Sequence, residues 1–348
     1  MPAYERLYAY DVVRVIAMFF VVAVHSLMVV DVSWATGSLY VSALQALFFT
    51  ANALFFLLSG KFNLRERKGD DDLKRYYLKR ARNFLLPILV LFFVRTLYNL
   101  APNFGSVDNV FKSFAINTLG AFNSMEYWFV FSLFGFLLAA PFVAGGFSRL
   151  TVFGKKCFAG IGLGYSLFVT LFSNLGIDFG WGNLFGGFAF AFFLGAFVDE
   201  VAQHRRATTM LGIVGLVSYL ANVTLVTAGW GVNAFDLSPL YTLTAVALYV
   251  TILRVFRDAN PSKVVSYLAK HSFSVYLIHM MVLMPLAHSL PQFMGVSSIG
   301  AHVGVTIAVF GITLALAIIV DTVLVKPCQK LFDVVVKAIS STGEKQAA

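Results

Sequence analysis

In a chain this apolar the residues able to do chemistry are few, and the first helix-length run holds an ordered set of them. Tyr10-Asp11-Val12-Val13-Arg14 leads through Val15-Ile16-Ala17-Met18 and an apolar stretch to His25-Ser26. Arg14 and His25 are eleven residues apart, close to three turns of about 3.6 residues, so on a helix they share one face about 16 Å apart. Asp11 lies three residues before Arg14 on the same stripe and can pair with its guanidinium. Ionisable groups inside a bilayer cost about 2.5–3.5 kcal/mol each on insertion scales, so their retention points to a functional interior. Counted from a cytoplasmic N-terminus, His25 falls about two-thirds of the way across. A neutral imidazole there can take a proton from a hydroxyl near neutral pH, which makes His25 a candidate general base. A buried histidine bonded to a neighbouring carbonyl or hydroxyl accounts for the same residue without chemistry.

Arg95 lies well inside the third apolar run, at a depth similar to His25. It needs an anion or water, and depth favours Glu126 as its partner and Asp321 as a partner for Arg14. A structural ion pair is one reading of Arg95. The other is a preorganised cation that stabilises the oxyanion of acyl transfer. Glu126 and Trp128 then become candidate acceptor contacts, since aromatic rings stack on sugar faces, although a tryptophan at that depth also serves as an interfacial anchor. Lys79, Arg80 and Arg82 sit just before the third run. They are either an ordinary positive flank or cationic partners for the phosphates of a donor such as CoA. His279, His288 and His302 show no comparable pattern and read as packing or interfacial residues, His279 being the strongest outsider.

The elements that must position these groups follow from composition. Of the 348 residues 59% are hydrophobic and 12% charged, against about 45–50% apolar and about 25% charged in ordinary globular domains. Ten apolar stretches approach the roughly 20 residues that a bilayer crossing requires: Val12–Val30, Val41–Gly60, Phe84–Ala101, Tyr127–Ala144, Cys157–Leu175, Asn183–Val198, Thr209–Ala228, Pro239–Phe256, Ser272–Leu290 and Ala301–Val325. They are apolar on all faces and lack the period-2 alternation of a membrane β-barrel. The fold class expected is therefore all-α, a polytopic transmembrane helical bundle of about ten helices.

The net charge of +9 does not point to nucleic acid, because of where the cations fall. All of the 26 Lys and Arg except Arg95 and Lys112 lie in the N-terminal tail, at the inner edge of the first run, or in alternate connections. Those connections are Lys61–Arg82, Arg149–Lys156, Arg205–Arg206, Arg254–Lys270 and Lys326–Lys345. Positive loops stay in the cytoplasm, so both termini are expected there. The first run carries Asp11, Arg14 and His25 and lacks a small-residue cleavage site, and it is expected to remain attached. Cys157 and Cys328 both map near the cytoplasmic face, where thiols stay reduced, so neither a disulfide nor a metal framework is indicated. In the connection Pro102–Glu126, Val110, Phe111, Phe114, Ala115 and Leu119 have helical spacing, which suits a short surface helix that roofs a site or covers helix ends.

At this point the chain resembles the acyltransferase 3 family of integral membrane acyltransferases. The family's motif of a basic residue, ten others and a histidine is met by Arg14 and His25. Further likenesses follow in order: Phe55-Phe56-Leu57-Leu58-Ser59-Gly60-Lys61-Phe62, Tyr77-Leu78-Lys79-Arg80-Ala81-Arg82 before Leu86-Pro87, Tyr127-Trp128-Phe129, and Ser274-Val275-Tyr276-Leu277-Ile278-His279. The resemblance implies a transmembrane acyltransferase domain over 1–336 followed by a short cytoplasmic tail, 337–348. It implies His25 as the catalytic histidine with Arg14 as its motif partner. It also implies acyl-CoA, most often acetyl-CoA, as a co-substrate rather than a tightly bound cofactor, and a hydroxyl of an envelope or extracellular glycan, or a related acceptor, on the far side. Where the family often shows two arginines separated by two residues, this chain has Lys79 and Arg82 with Arg80 between, which leaves open which of the three meets the donor. The expected partners are the lipid bilayer, acyl-CoA and the glycan, and the expected location is a plasma membrane, bacterial by its charge pattern. The competing class is a multi-pass transporter of a small polar or anionic solute. Buried charges and the possible helix breaks at Gly186-Gly187 and Pro285 would suit it, but no inverted repeat is visible.

Overall fold

The computed structural model describes residues 3–27, 38–100, 107–120, 126–177, 187–230, 238–289 and 299–347. Every regular element among them is a helix. In a bilayer the backbone must satisfy its own hydrogen bonds, and an apolar run does so most simply by coiling. The helices are α1 (Ala3–Ser26), α2 (Leu39–Phe48), α3 (Thr50–Asn63), α4 (Asp70–Arg80), α5 (Leu86–Leu100), α6 (Val107–Leu119), α7 (Trp128–Ser148) and α8 (Val152–Asn174). They continue with α9 (Gly187–Leu194), α10 (Arg205–Thr227), α11 (Pro239–Val255), α12 (Lys263–Lys270), α13 (Ser272–Ser289), α14 (Ile299–Val320) and α15 (Lys326–Ala347). Ser38, Thr151, Ser238 and Ser262 cap α2, α8, α11 and α12 by accepting from backbone N–H groups of the first turn.

Seven stretches of the described residues are long and apolar enough to cross a bilayer: Tyr8–Ser26, Leu39–Asn63, Asp70–Leu100, Trp128–Ser148, Val152–Asn174, Arg205–Thr227 and His302–Ile339. Two shorter apolar helices, Pro239–Val255 and Ser272–Leu286, accompany them. The expected segment Asn183–Val198 takes another form. Residues 183–186 lie outside the described set, and from Gly187 the chain makes an 8-residue helix that turns at Gly195 into a 3-10 turn over Val198–Gln203. Pro285 does not break α13, which runs through it. The surface helix expected in the connection after the third run is present as α6, packed on α5 through Phe114 and Phe93 with ring centroids 5.5 Å apart.

Buried position separates the helices. α1 packs against α3, α11, α13 and α14, and Val13, Ala17, Met18 and Val22 on it are all but inaccessible. α7, α8, α10 and α14 instead expose large apolar side chains such as Phe142, Ile161, Ile213 and Ile307, which fits faces turned to lipid rather than water. α3 and α9 touch at backbone level. A Cβ on Gly60 would sit 1.8 Å from the Phe192 carbonyl oxygen, and one on Gly195 would sit 2.1 Å from that of Leu57. Small residues at such crossings let membrane helices approach closely.

Two π turns interrupt the ladder, at Ala81–Leu85 between α4 and α5 and at Asp321–Val325 between α14 and α15. Each is followed two residues later by a proline, Pro87 and Pro327. A proline has no N–H to donate and its ring clashes with the carbonyl four residues back, and widening the preceding turn relieves both. α15 runs past residue 337 to Ala347.

Candidate active site

Arg14 and His25 both project from α1 toward neighbours that the core packing holds in place. The Arg14 guanidinium bonds the Asp11 carboxylate at 2.5 Å and lies 5.2 Å above the Phe62 ring. His25 Nδ1 is 2.8 Å from the Val21 carbonyl oxygen, one turn back. A carbonyl can only accept, so Nδ1 carries the proton and Nε2 presents its lone pair. The carbonyl bond that the sequence offered as one account of His25 is thus present, and it leaves the lone pair on Nε2.

The ring beside it is another imidazole. His279 on α13 has its centroid 4.9 Å from that of His25. It is fully buried, and its Nδ1 lies 2.6 Å from the Tyr276 carbonyl oxygen. Reading His279 as packing missed this pairing, and the only signal in the sequence is a histidine in an otherwise apolar helix. His302 has both ring nitrogens engaged, its Nε2 at 3.0 Å from the Ala23 carbonyl and its Nδ1 at 2.8 Å from the Tyr40 hydroxyl. The side chain of His288 lies outside the described residues.

Arg95 meets Glu126 at 2.6 Å, the pairing expected from depth. The guanidinium also lies 4.8 Å over the Tyr127 ring, and the Tyr127 hydroxyl donates to the Leu277 carbonyl at 2.9 Å. The Tyr276 hydroxyl donates to the backbone carbonyl of Glu126. These contacts tie the start of α7 to α5 and to α13, the helix that carries His279. Glu126 is buried, whereas Trp128 is partly exposed with its ring 4.9 Å from Phe188.

Asp321 is not the partner of Arg14. It sits in the second π turn, 2.5 Å from His271 Nδ1 and 2.5 Å from the Ser274 hydroxyl, so it locks α13 to the end of α14. Depth alone could not distinguish Arg14 from His271, since both lie toward the same basic end of the bundle. A charge network not foreseen from the sequence joins α1, α3 and the 3-10 turn at that end. Asp199 accepts from the Tyr10 hydroxyl at 2.8 Å and from Lys61 at 2.6 Å.

A cavity of about 560 Å³ opens at the basic end. Arg14, Arg65, Lys79 and Arg80 supply its cations, and Phe129 and Tyr276 part of its aromatic wall. The Tyr276 ring adjoins that of His279 at 5.8 Å, so a path of packed rings leads from the cationic rim to the histidine pair. A second cavity, about 580 Å³, lies between α4 and α15 and is lined by Lys74, Arg75, Lys79, Arg82 and Asp333 among others. Arg82 Nε donates to Asp333 at 2.7 Å. The three candidate donor cations therefore divide: Arg80 faces the first cavity, Arg82 the second, and Lys79 both.

Residues 7–322 match the acyltransferase 3 family model, whose description is an acyltransferase domain. No curated protein and no solved structure matches the chain. The matched span contains Arg14, His25, the Lys79–Arg82 cluster, Arg95, Glu126, His279 and Asp321, and it decides for group transfer over solute transport.

Proposed function

The chain belongs to the acyltransferase 3 family of membrane acyltransferases, and from that premise we propose that it carries an acyl group, most simply acetyl, from cytoplasmic acyl-CoA to a hydroxyl of a glycan or related acceptor beyond the membrane. The observation that supports this most is the cation-rimmed cavity whose aromatic wall backs onto the imidazoles of His279 and His25. In this reading Lys79 and Arg80, with Arg14 and Arg65, receive donor phosphates, and the pantetheine arm runs past Phe129 and Tyr276. Arg82, already engaged by Asp333, contributes from the neighbouring cavity.

His25 Nε2 removes the acceptor's hydroxyl proton while the oxygen attacks the thioester carbonyl. The tetrahedral intermediate collapses with breakage of the C–S bond, so the ester forms and CoA leaves as a thiolate that recovers a proton. Glu126, held by Arg95, favours the imidazolium that forms in this step. Arg95 is assigned to that positioning role rather than to the oxyanion, because its guanidinium is committed to the Glu126 carboxylate. Trp128 is the side chain we place against the acceptor, being the exposed aromatic next to Glu126. The alternation of basic connections supports ten passages with both termini cytoplasmic, in a bacterial plasma membrane.

The test is CoA release from acetyl-CoA by the protein in membranes, with an extract of envelope glycans as acceptor and His25→Ala in parallel. Acceptor-dependent release that falls by about 10²–10⁴ in His25→Ala is expected. Release unaffected by that substitution would remove the base from His25.

A further inference from the structure

His279 is an expensive way to fill space. It has 0% exposure, yet its Nε2 reaches no hydrogen-bond partner among the described residues. The bond from Nδ1 to the Tyr276 carbonyl fixes the tautomer, because that carbonyl can only accept. Among the described residues Nε2 is therefore an unpaired, fully buried acceptor, and such an acceptor is destabilising. Phenylalanine or leucine would pack there without that penalty. His25 is prepared in the same way by the Val21 carbonyl, and its centroid stands 4.9 Å away with the rings inclined at 59°. At that separation two ring nitrogens that turn toward each other come within hydrogen-bond distance.

The order of the rings gives the pair a direction. Tyr276 forms part of the cavity wall, His279 follows it by one turn on α13, and His25 stands beyond on α1. The hydroxyl that loses a proton and the thiolate that needs one enter from different sides, and His279 lies on the donor side of His25.

We infer that His279 is a second catalytic imidazole, which takes at Nε2 the proton that His25 has removed from the acceptor hydroxyl and delivers it to the departing CoA thiolate. This rests on the reading of His25 as the base. The balance closes without another reactant. His25 gains the hydroxyl proton at Nε2 and passes it to His279 Nε2, the C–S bond breaks with its electron pair on sulfur, and the sulfur takes the proton from His279. Both imidazoles end neutral, with their Nδ1 protons never moved, and the products are an ester and a thiol. One lone pair on His279 suffices, because the proton arrives and leaves by the same nitrogen.

His279→Asn separates this role from a structural one, since the asparagine amide can still donate to the Tyr276 carbonyl but has no imidazole nitrogen to carry a proton. With acetyl-CoA and glycan extract, kcat is expected to fall about 10²- to 10³-fold, the lower part of the range for a lost proton-transfer group. KM for acetyl-CoA and the thermal unfolding midpoint should stay unchanged. Full kcat in His279→Asn would overturn the inference, while full activity in a parallel His25→Ala would instead overturn the reading beneath it. His279→Phe is the second variant, since a phenyl ring fills the same apolar space without a ring nitrogen. It should hold the unfolding midpoint and lose kcat as His279→Asn does, and full kcat in it would equally overturn the relay.

Discussion

Arg95 and Glu126 bring opposite charges to 2.6 Å with the carboxylate side chain only 5% exposed, so neutralising one leaves the other uncompensated. Removing one member of a buried pair typically costs about 3–5 kcal/mol, whereas replacing both with apolar residues of similar volume is often neutral. Glu126→Gln is therefore expected to lower the unfolding midpoint in detergent, and Arg95→Met combined with Glu126→Leu to restore much of it. Acyl transfer should stay low in both proteins if Glu126 supports the imidazolium at His25. Recovery of activity together with stability in the double variant would reduce the pair to a structural strut. The partnership itself was legible in the sequence, because few anions share the depth of Arg95. The partner of Asp321 was not legible, since a one-dimensional depth cannot rank Arg14 against His271. Nor was the pairing of His25 with His279, which depends on how α1 and α13 turn their faces.

At the scale of the element, the bilayer makes helices readable and their irregularities hard to read. Long apolar runs have little alternative to coiling where water is absent, and the described parts of the expected runs outside Asn183–Val198 fall on helices, the second run on two, α2 and α3; residues 28–30, 101 and 290 of those runs lie outside the described residues. The shortness of α9 escapes hydropathy, which counts apolar residues without knowing that Gly195 must lie against the Leu57 carbonyl. That contact has a consequence. Gly195→Ala would place a methyl 2.1 Å from a backbone oxygen of α3, so it should force α3 and α9 apart and lower the unfolding midpoint by several degrees. Gly160→Ala on α8, where a Cβ meets nothing within 4 Å, is the control and should leave it unmoved or raised. The π turn before Pro87 offers a second test at this scale. Asn83 and Phe84 within it line the cavity proposed for the donor, and Pro87→Ala removes the clash that widens the turn. Rewinding to a regular α-turn would rotate those two side chains and raise KM for acetyl-CoA, with kcat little changed. An unaltered KM would mean that the turn does not shape the donor site.

For the whole molecule the governing feature is polarity of charge. Arg14, Arg65, Lys79 and Arg80 rim one cavity, with Lys74, Arg75 and Arg82 around the next, and the apolar faces of α7, α8, α10 and α14 surround the bundle between its ends. Such a rim attracts a polyanionic donor from one side only, and the attraction should weaken with salt. Lys79→Ala and Arg80→Ala are thus expected to raise KM for acetyl-CoA several-fold at low ionic strength, and less so at high, while kcat holds. In the proposed function sidedness follows from the same asymmetry, because retention of the basic end in the cytoplasm would fix where the thioester is consumed. Sealed vesicles with the cytoplasmic face outward should release CoA from acetyl-CoA added outside and accumulate ester on an acceptor trapped inside. Vesicles of the opposite orientation should do neither until they are opened with detergent. If both preparations used external acetyl-CoA equally, the donor would not be confined to the basic face, and the direction proposed for the transfer, together with the path from the cationic rim to His25, would have to be given up.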